Sequence, residues 1–274
     1  MNAGVMLRDF VAWGPDATGP TRAVALLRIG LATMAIVRFG AEVAPFAAET
    51  FSELLLGLVF FIFAIAALLG VRARLSIGLL GLTIFLLYGM RQAGLGTAGW
   101  NHHHVYLLGI SCIFLMFTDC GRSYSFDRWT AIQSGNRVLP EHGILWGQRL
   151  IALQMSALYF WTAVDKSDQA FISGQRLEQI FVWSYSGRTL EILLASPMLL
   201  ALMSCAVLVV EYFLAYAILT RRHRATAIFI GLSMHSTFYL LLPVSTYSAT
   251  MMLLYVALLD PQSVQKFTKR MQDP

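Results

Sequence analysis

Eight apolar stretches, each closed by charged or turn-forming residues, constrain this chain more than any other feature of its sequence. They lie at about Ala23–Phe46, Leu54–Gly70, Leu75–Met90, His103–Thr118 and Leu150–Val164, then within Ile192–Thr220, Ala225–Val244 and Ser245–Leu259. About 20 apolar residues carry a helix across a bilayer, and a helix satisfies its backbone polar groups within one segment. Several of the uncharged cores are shorter, so polar flanks complete the crossing. Pro243 breaks the chain between the last two stretches. Eight helices of that length use roughly 160 residues, which leaves only connectors from a chain of 274. The expectation is an all-α polytopic bundle, a single membrane domain over residues 1–274 with no separate soluble domain.

Composition supports that reading. The chain is 57% hydrophobic and only 13% charged, with a mean hydropathy of +0.65. Soluble domains carry roughly a quarter charged residues. A soluble enzyme, a disordered chain and a nucleic-acid module are excluded on that ground. The net charge of +5 fits Lys and Arg anchoring cytoplasmic loops, so no nucleic-acid partner is expected. Arg8, Asp9 and Asp16 precede the first apolar stretch, so that stretch is expected to act as an uncleaved insertion signal. Cys112, Cys120 and Cys205 form no CxxC or metal-ligand pattern and read as core thiols.

Every second loop is basic. An inside N-terminus puts Arg8, Arg22, the Arg72/Arg74 turn, Arg122, Arg128, Arg137, the Arg221–Arg224 turn and the Lys266/Lys269/Arg270 tail in the cytoplasm. The opposite loops hold Arg91, Lys166, Arg176 and Arg188 beside Glu49, Glu53, Asp165, Asp168 and Glu178. The positive-inside rule therefore places both termini in the cytoplasm.

Ionisable residues within spans are costly and point to function or to pairing. Arg28 and Arg38 lie in the first stretch, Glu211 in the sixth and His235 in the seventh. Glu211 and Arg28 are expected to form a structural charge pair, with Arg38 as the alternative arginine, and His235 is either an interhelical hydrogen-bonder or a site residue. On the non-cytoplasmic side, Trp100-Asn101-His102-His103-His104 opens the fourth stretch and Asp165-Lys166-Ser167-Asp168 closes the fifth. Consecutive helical residues point about 100° apart, so three adjacent histidines do not readily face one ion, and no metal is predicted. Lys166 ends an apolar run. It is either a base made usable by partial burial or an interfacial lysine reaching for headgroups.

These residues resemble a known family, the membrane domain of vitamin K-dependent gamma-carboxylases and their bacterial relatives, the HTTM family. The likeness begins at Ala25-Leu26-Leu27-Arg28-Ile29-Gly30 and continues through Asn101-His102-His103, where His103 takes the position of the functional histidine. It includes Asp119 and Ser125-Phe126-Asp127. Its most specific piece is Gln154–Lys166, with Tyr159-Phe160 inside and Lys166 at the position of the lysine base. Glu211, Met234-His235 and Tyr247–Met252 complete it. Asp165 and Phe171 depart from the family's usual lysine and tryptophan, and no large β-rich region is expected after the eighth stretch.

The resemblance implies a membrane enzyme that uses a reduced lipid quinone of vitamin K or menaquinone type and oxygen. It implies epoxidation coupled to proton abstraction or carboxylation. Lys166 and His103 become the catalytic residues, and Asn101, Tyr159 and His235 the quinone-binding ones. The partners are then the lipid bilayer, the quinone and a peptide or protein substrate that the sequence does not name. The expected location is the bacterial plasma membrane, with the site on the non-cytoplasmic side. The alternative is a non-catalytic accessory factor for maturation or export of a peptide. A transporter is disfavoured by the absence of an internal repeat, and a diheme carrier by the lack of facing histidine pairs.

Overall fold

In a computed structural model of the chain, residues 14, 16–92, 104–185, 196–242 and 244–271 are described. They are mainly helical and form two compact units, one reaching to Ile151 and resuming at Leu253, the other covering Ala152–Met252.

The first unit opens with β1 (Thr18–Pro20), which pairs antiparallel with β2 (His142–Ile144), Gly19 opposite Gly143. This small ladder is absent from the sequence expectation. The helices are α1 (Arg22–Phe39), α2 (Phe51–Leu69), α3 (Ala73–Gln92), α4 (His104–Leu115) and the short α5 (Phe126–Gln133). The first turns of α6 (Trp146–Asp165) also belong here. The chain returns at the end of α11 (Ser245–Leu254), passes a 3-10 turn at Tyr255–Leu258 and finishes with α12 (Pro261–Arg270). The core forms where Leu27, Leu31 and Ala35 of α1 lie buried together with Phe60 of α2, Ile77 and Leu80 of α3 and Leu108 of α4.

Local chemistry sets the ends. Thr50 and Glu53 form a capping box that starts α2. Gly70 ends it at φ +78, a left-handed conformation that glycine adopts without strain. The first apolar stretch is expected to run to Phe46, but its helix ends at Phe39 and Pro45 starts a separate 3-10 turn. Proline disfavours helical backbone in the residue before it, and Ala44 is extended at ψ 142, so no helix runs through to Phe46.

The second unit contains the rest of α6, then α7 (Gln169–Ile172), α8 (Gln175–Tyr185), α9 (Pro197–Ala217), α10 (Arg224–Leu241) and α11 up to Met252. The segment after Lys166 is expected to be a connector. It is instead two short helices packed on the N-terminal half of α9, with Phe171, Leu177, Phe181 and Leu200 as a buried cluster. Asp168 starts α7 by accepting the Phe171 N–H at 2.7 Å. Gly174, at φ +85, lets this pair approach α9, where an added Cβ would meet the Ala201 nitrogen at 2.7 Å.

Helices occupy all eight expected places. Among the described residues, three of them, Phe51–Leu69, Ala73–Met90 and Pro197–Ala217, are long and apolar enough by length and composition to cross a membrane. Their outer faces suit lipid: Leu58, Ile62, Ile65 and Leu69 of α2 are exposed at helical spacing, an apolar stripe that a protein in water would not leave uncovered.

Candidate functional site

One face of α6 carries a row of polar groups in the second unit. Ser156, Tyr159, Thr162 and Lys166 recur at three- and four-residue spacing, which stacks them along one side of a helix. Tyr159 and Lys166 are seven residues apart, two turns or roughly 10.5 Å along the axis. Each finds its partner on a different helix.

Ser156 Oγ donates to the Ala215 carbonyl of α9 at 2.5 Å. The Tyr159 hydroxyl and His235 Nε2 of α10 lie 2.6 Å apart, both groups fully buried. Phe238 and Tyr247 pack edge-on against the His235 ring at 5.8 and 5.6 Å. His235 Nδ1 has no hydrogen-bond partner among the described residues, and neither do the buried hydroxyls of Ser204 and Ser248. Such atoms are costly to leave unpaired, so they suit a ligand that presents oxygen atoms to them.

Lys166 lies one residue past the end of α6, and its N–H still bonds the Thr162 carbonyl at 3.1 Å. Its ammonium pairs with Glu211 of α9. The Glu211 side chain is 4% exposed and the Lys166 side chain 26%, so the pair is shielded rather than solvated. Thr162 stands beside the same carboxylate, and the Phe171 ring lies 5.8 Å from the ammonium. Beyond the pair, Ser167 Oγ and the Tyr212 hydroxyl meet at 2.9 Å. Glu211 is fourteen residues past the start of α9, roughly 21 Å along it. α6 therefore ends against the C-terminal third of α9, and α7 and α8 cover the length of α9 that remains.

This geometry corrects the expected Arg28–Glu211 pair. Glu211 is taken by Lys166. Arg28, fully buried in the first unit, donates to the Cys120 carbonyl at 2.9 Å and the Tyr124 carbonyl at 2.6 Å. Carbonyl oxygens at the turn after α4 take the guanidinium's hydrogen bonds, and Asp127 acts on it through charge alone, an arrangement that a search for mid-helix opposite charges overlooks. Arg38 bonds Glu42 at 2.6 Å, one helical turn on.

The Asp119 and Ser125–Asp127 motif is structural in the same unit. Asp119 accepts from Arg74 at 3.2 Å, Arg122 at 3.0 Å and the Ile144 N–H at 2.9 Å. Ser125 caps α5, and Asp127 accepts the Arg72 N–H at 2.6 Å.

Of the expected site residues, Lys166, Tyr159 and His235 fall in one unit: Tyr159 within α6, Lys166 just past its end and His235 on α10. Asn101 and His103 lie outside the described residues, as does the side chain of His104. Glu211 was expected as structure and is the direct partner of Lys166. Ser156, Thr162 and Tyr212 escaped the sequence reading, although the spacing of Ser156, Tyr159 and Lys166 along one helix face was available to it.

A family model described as the HTTM domain matches residues 40–262, well over half of the chain. No curated protein and no solved structure matches it.

Proposed function

This chain belongs to the HTTM family, whose domain is associated with vitamin K-dependent gamma-carboxylase-like membrane proteins, and we propose that it is an integral membrane enzyme using a reduced lipid quinone and oxygen. In this reading the chain crosses the bacterial plasma membrane eight times with both ends in the cytoplasm. Epoxidation of the quinone, of vitamin K or menaquinone type, is coupled to proton abstraction or carboxylation of a substrate. The observation that carries the reading is the shielded contact of Lys166 with Glu211 at the end of an apolar helix.

The residues of the second unit fit a quinone head. His235 Nδ1 and the Ser248 hydroxyl are buried polar atoms in want of partners among the described residues, and the Phe238 and Tyr247 rings flank the His235 ring. A bound reduced quinone would supply an acidic phenolic O–H and, with oxygen, the oxidising chemistry. Lys166 accepts a proton only as a neutral amine, and an isolated lysine is protonated near neutral pH. In this reading Glu211, the hydrogen-bonded partner of Lys166, holds the amine in position at the end of α6 and takes up a proton from it during the reaction. Tyr159 fixes the His235 ring, so that Nδ1 is held in one direction for an oxygen-bearing ligand. The family resemblance adds His103 as second catalytic residue and Asn101 as a further quinone contact.

Purification in detergent, organic extraction and mass analysis of the bound lipids test this. Copurifying quinone or quinone epoxide is expected. A preparation that carries a stable peptide and no quinone would support the accessory-factor alternative instead.

A further inference from the structure

The turn between α2 and α3 and the connection from α4 to β2 gather five arginines that the quinone chemistry leaves unused. Arg72, Arg74 and Arg122 line a cleft of about 390 Å³. Arg122, Arg128 and Arg137 line an adjoining one of about 200 Å³, with Gly121, Arg122, Asp127 and Leu139 common to both. The larger falls within the range of about 300–1,000 Å³ usual for small-molecule sites.

The acidic residues nearby are already engaged. Asp119 holds Arg74, Arg122 and the Ile144 N–H, Asp127 holds the Arg72 N–H, and Glu141 lies 2.8 Å from Arg22 and 3.8 Å from Arg128. The exposed guanidinium groups of Arg72 and Arg137 make no ion pair or hydrogen bond among the described residues. Arg72 is moreover held at φ +43, a region that costs a non-glycine residue energy. The backbone contact with Asp127 fixes it there. The clefts thus keep an uncompensated positive charge.

Two features give their depth. On α5, Phe126, Trp129 and Ile132 are exposed at three-residue spacing, and the two aromatic rings pack at 5.5 Å. Exposed aromatic side chains of this kind mark the membrane–water interface. Arg128 of the same helix lines the smaller cleft. On α3, exposed Leu75 lines the larger cleft, and exposed Leu82 and Leu86 continue along the same helix face away from it. Arginine clefts at headgroup level therefore open onto an apolar helix face.

We propose that this is a binding site for an anionic phospholipid, its headgroup phosphate among the arginines and its acyl chains along Leu75, Leu82 and Leu86. Guanidinium groups match phosphate oxygens in two-point contacts, and basic pockets at helix ends hold anionic headgroups. The site is independent of the quinone reading.

Native mass spectrometry of the delipidated full chain in detergent tests it, with phosphatidylglycerol, phosphatidylcholine and soluble glycerol 3-phosphate as probes. Saturable binding of phosphatidylglycerol is expected, with phosphatidylcholine at least roughly tenfold weaker, as loss of net headgroup charge implies. Arg72→Asn with Arg137→Gln should weaken phosphatidylglycerol by a similar roughly tenfold factor and leave the melting temperature unchanged. Asparagine tolerates the left-handed backbone at position 72. Lys266→Gln with Lys269→Gln, basic residues outside both clefts, should bind as the parent does. If the double arginine variant fails to fold, Arg137→Gln alone should still weaken binding. Equal binding of the two lipids, equal loss in the lysine variant, or displacement of the lipid by glycerol 3-phosphate would each overturn the proposal.

Discussion

The Tyr159 hydroxyl and His235 Nε2 stand 2.6 Å apart in an interior where neither side chain reaches solvent. This contact ties α6 to α10, and it leaves Nδ1 as the free edge of the ring. Tyr159→Phe keeps the ring and removes only the hydroxyl, stranding Nε2. An unsatisfied buried polar group costs about 1–3 kcal/mol. Thermal unfolding in detergent should show a loss of that size, and Tyr159→Phe with His235→Phe should recover part of it. Unchanged stability in the single variant would show that the contact carries no weight.

Lys166 and Glu211 make a second cross-helix tie, and here charge is at stake. Removing one partner of a buried pair costs about 3–5 kcal/mol, whereas replacing both by apolar residues is often near neutral. Glu211→Leu should destabilise the protein strongly, and Lys166→Met with Glu211→Leu should restore most of the loss. Strict additivity of the two single changes, measured as a double-mutant cycle, would show that they do not interact.

Cys120 offers a pH test of the first unit. It is buried in the turn after α4, and burial pushes its thiol pKa up, against the opposing pull of the Arg28 guanidinium. The unfolded chain loses this proton as pH rises past about 8.5, while the folded chain keeps it. The thiol's contribution is therefore complete below about pH 8.5 and declines as pH climbs toward the folded value. Cys120→Ala should show a shallower alkaline fall in melting temperature than the parent. Parallel curves between about pH 8 and 10 would mean that the thiol titrates alike in both states.

Sidedness follows from the alternating basic loops. In a cysteine-free background, Gln175→Cys should react with an impermeant maleimide on intact cells, and Thr220→Cys should react only after permeabilisation. The reverse pattern would place Lys166 on the cytoplasmic side and overturn the orientation.

Helix positions were legible in the sequence because apolar runs bounded by charges are a length measurement, and bilayer thickness fixes the scale. The unusual polar residues were legible too: Lys166, Glu211 and His235 stand out in apolar surroundings. Their partners were harder to read. Glu211 looked like a match for Arg28 because both are mid-helix charges, and sequence shows neither helix tilt nor how far α9 runs past the end of α6. Arg28 turned out to bond carbonyl oxygens, which every residue carries and no composition reveals. The segment after Lys166 read as a connector because its apolar residues are few. Its helical start was nevertheless signalled by Asp168, a cap three residues before Phe171.

The central claim is that Lys166 is the base of a quinone-dependent reaction, and one measurement meets it directly. Membranes containing the parent chain or Lys166→Arg are supplied with reduced menaquinone and oxygen, and quinone epoxide is quantified by mass spectrometry. Arginine preserves the positive charge beside Glu211 and with it the fold, but a guanidinium does not deprotonate in proteins. The parent should form epoxide and Lys166→Arg none, at equal protein levels. Equal epoxide from both would contradict the account and leave Lys166 as a structural partner of Glu211.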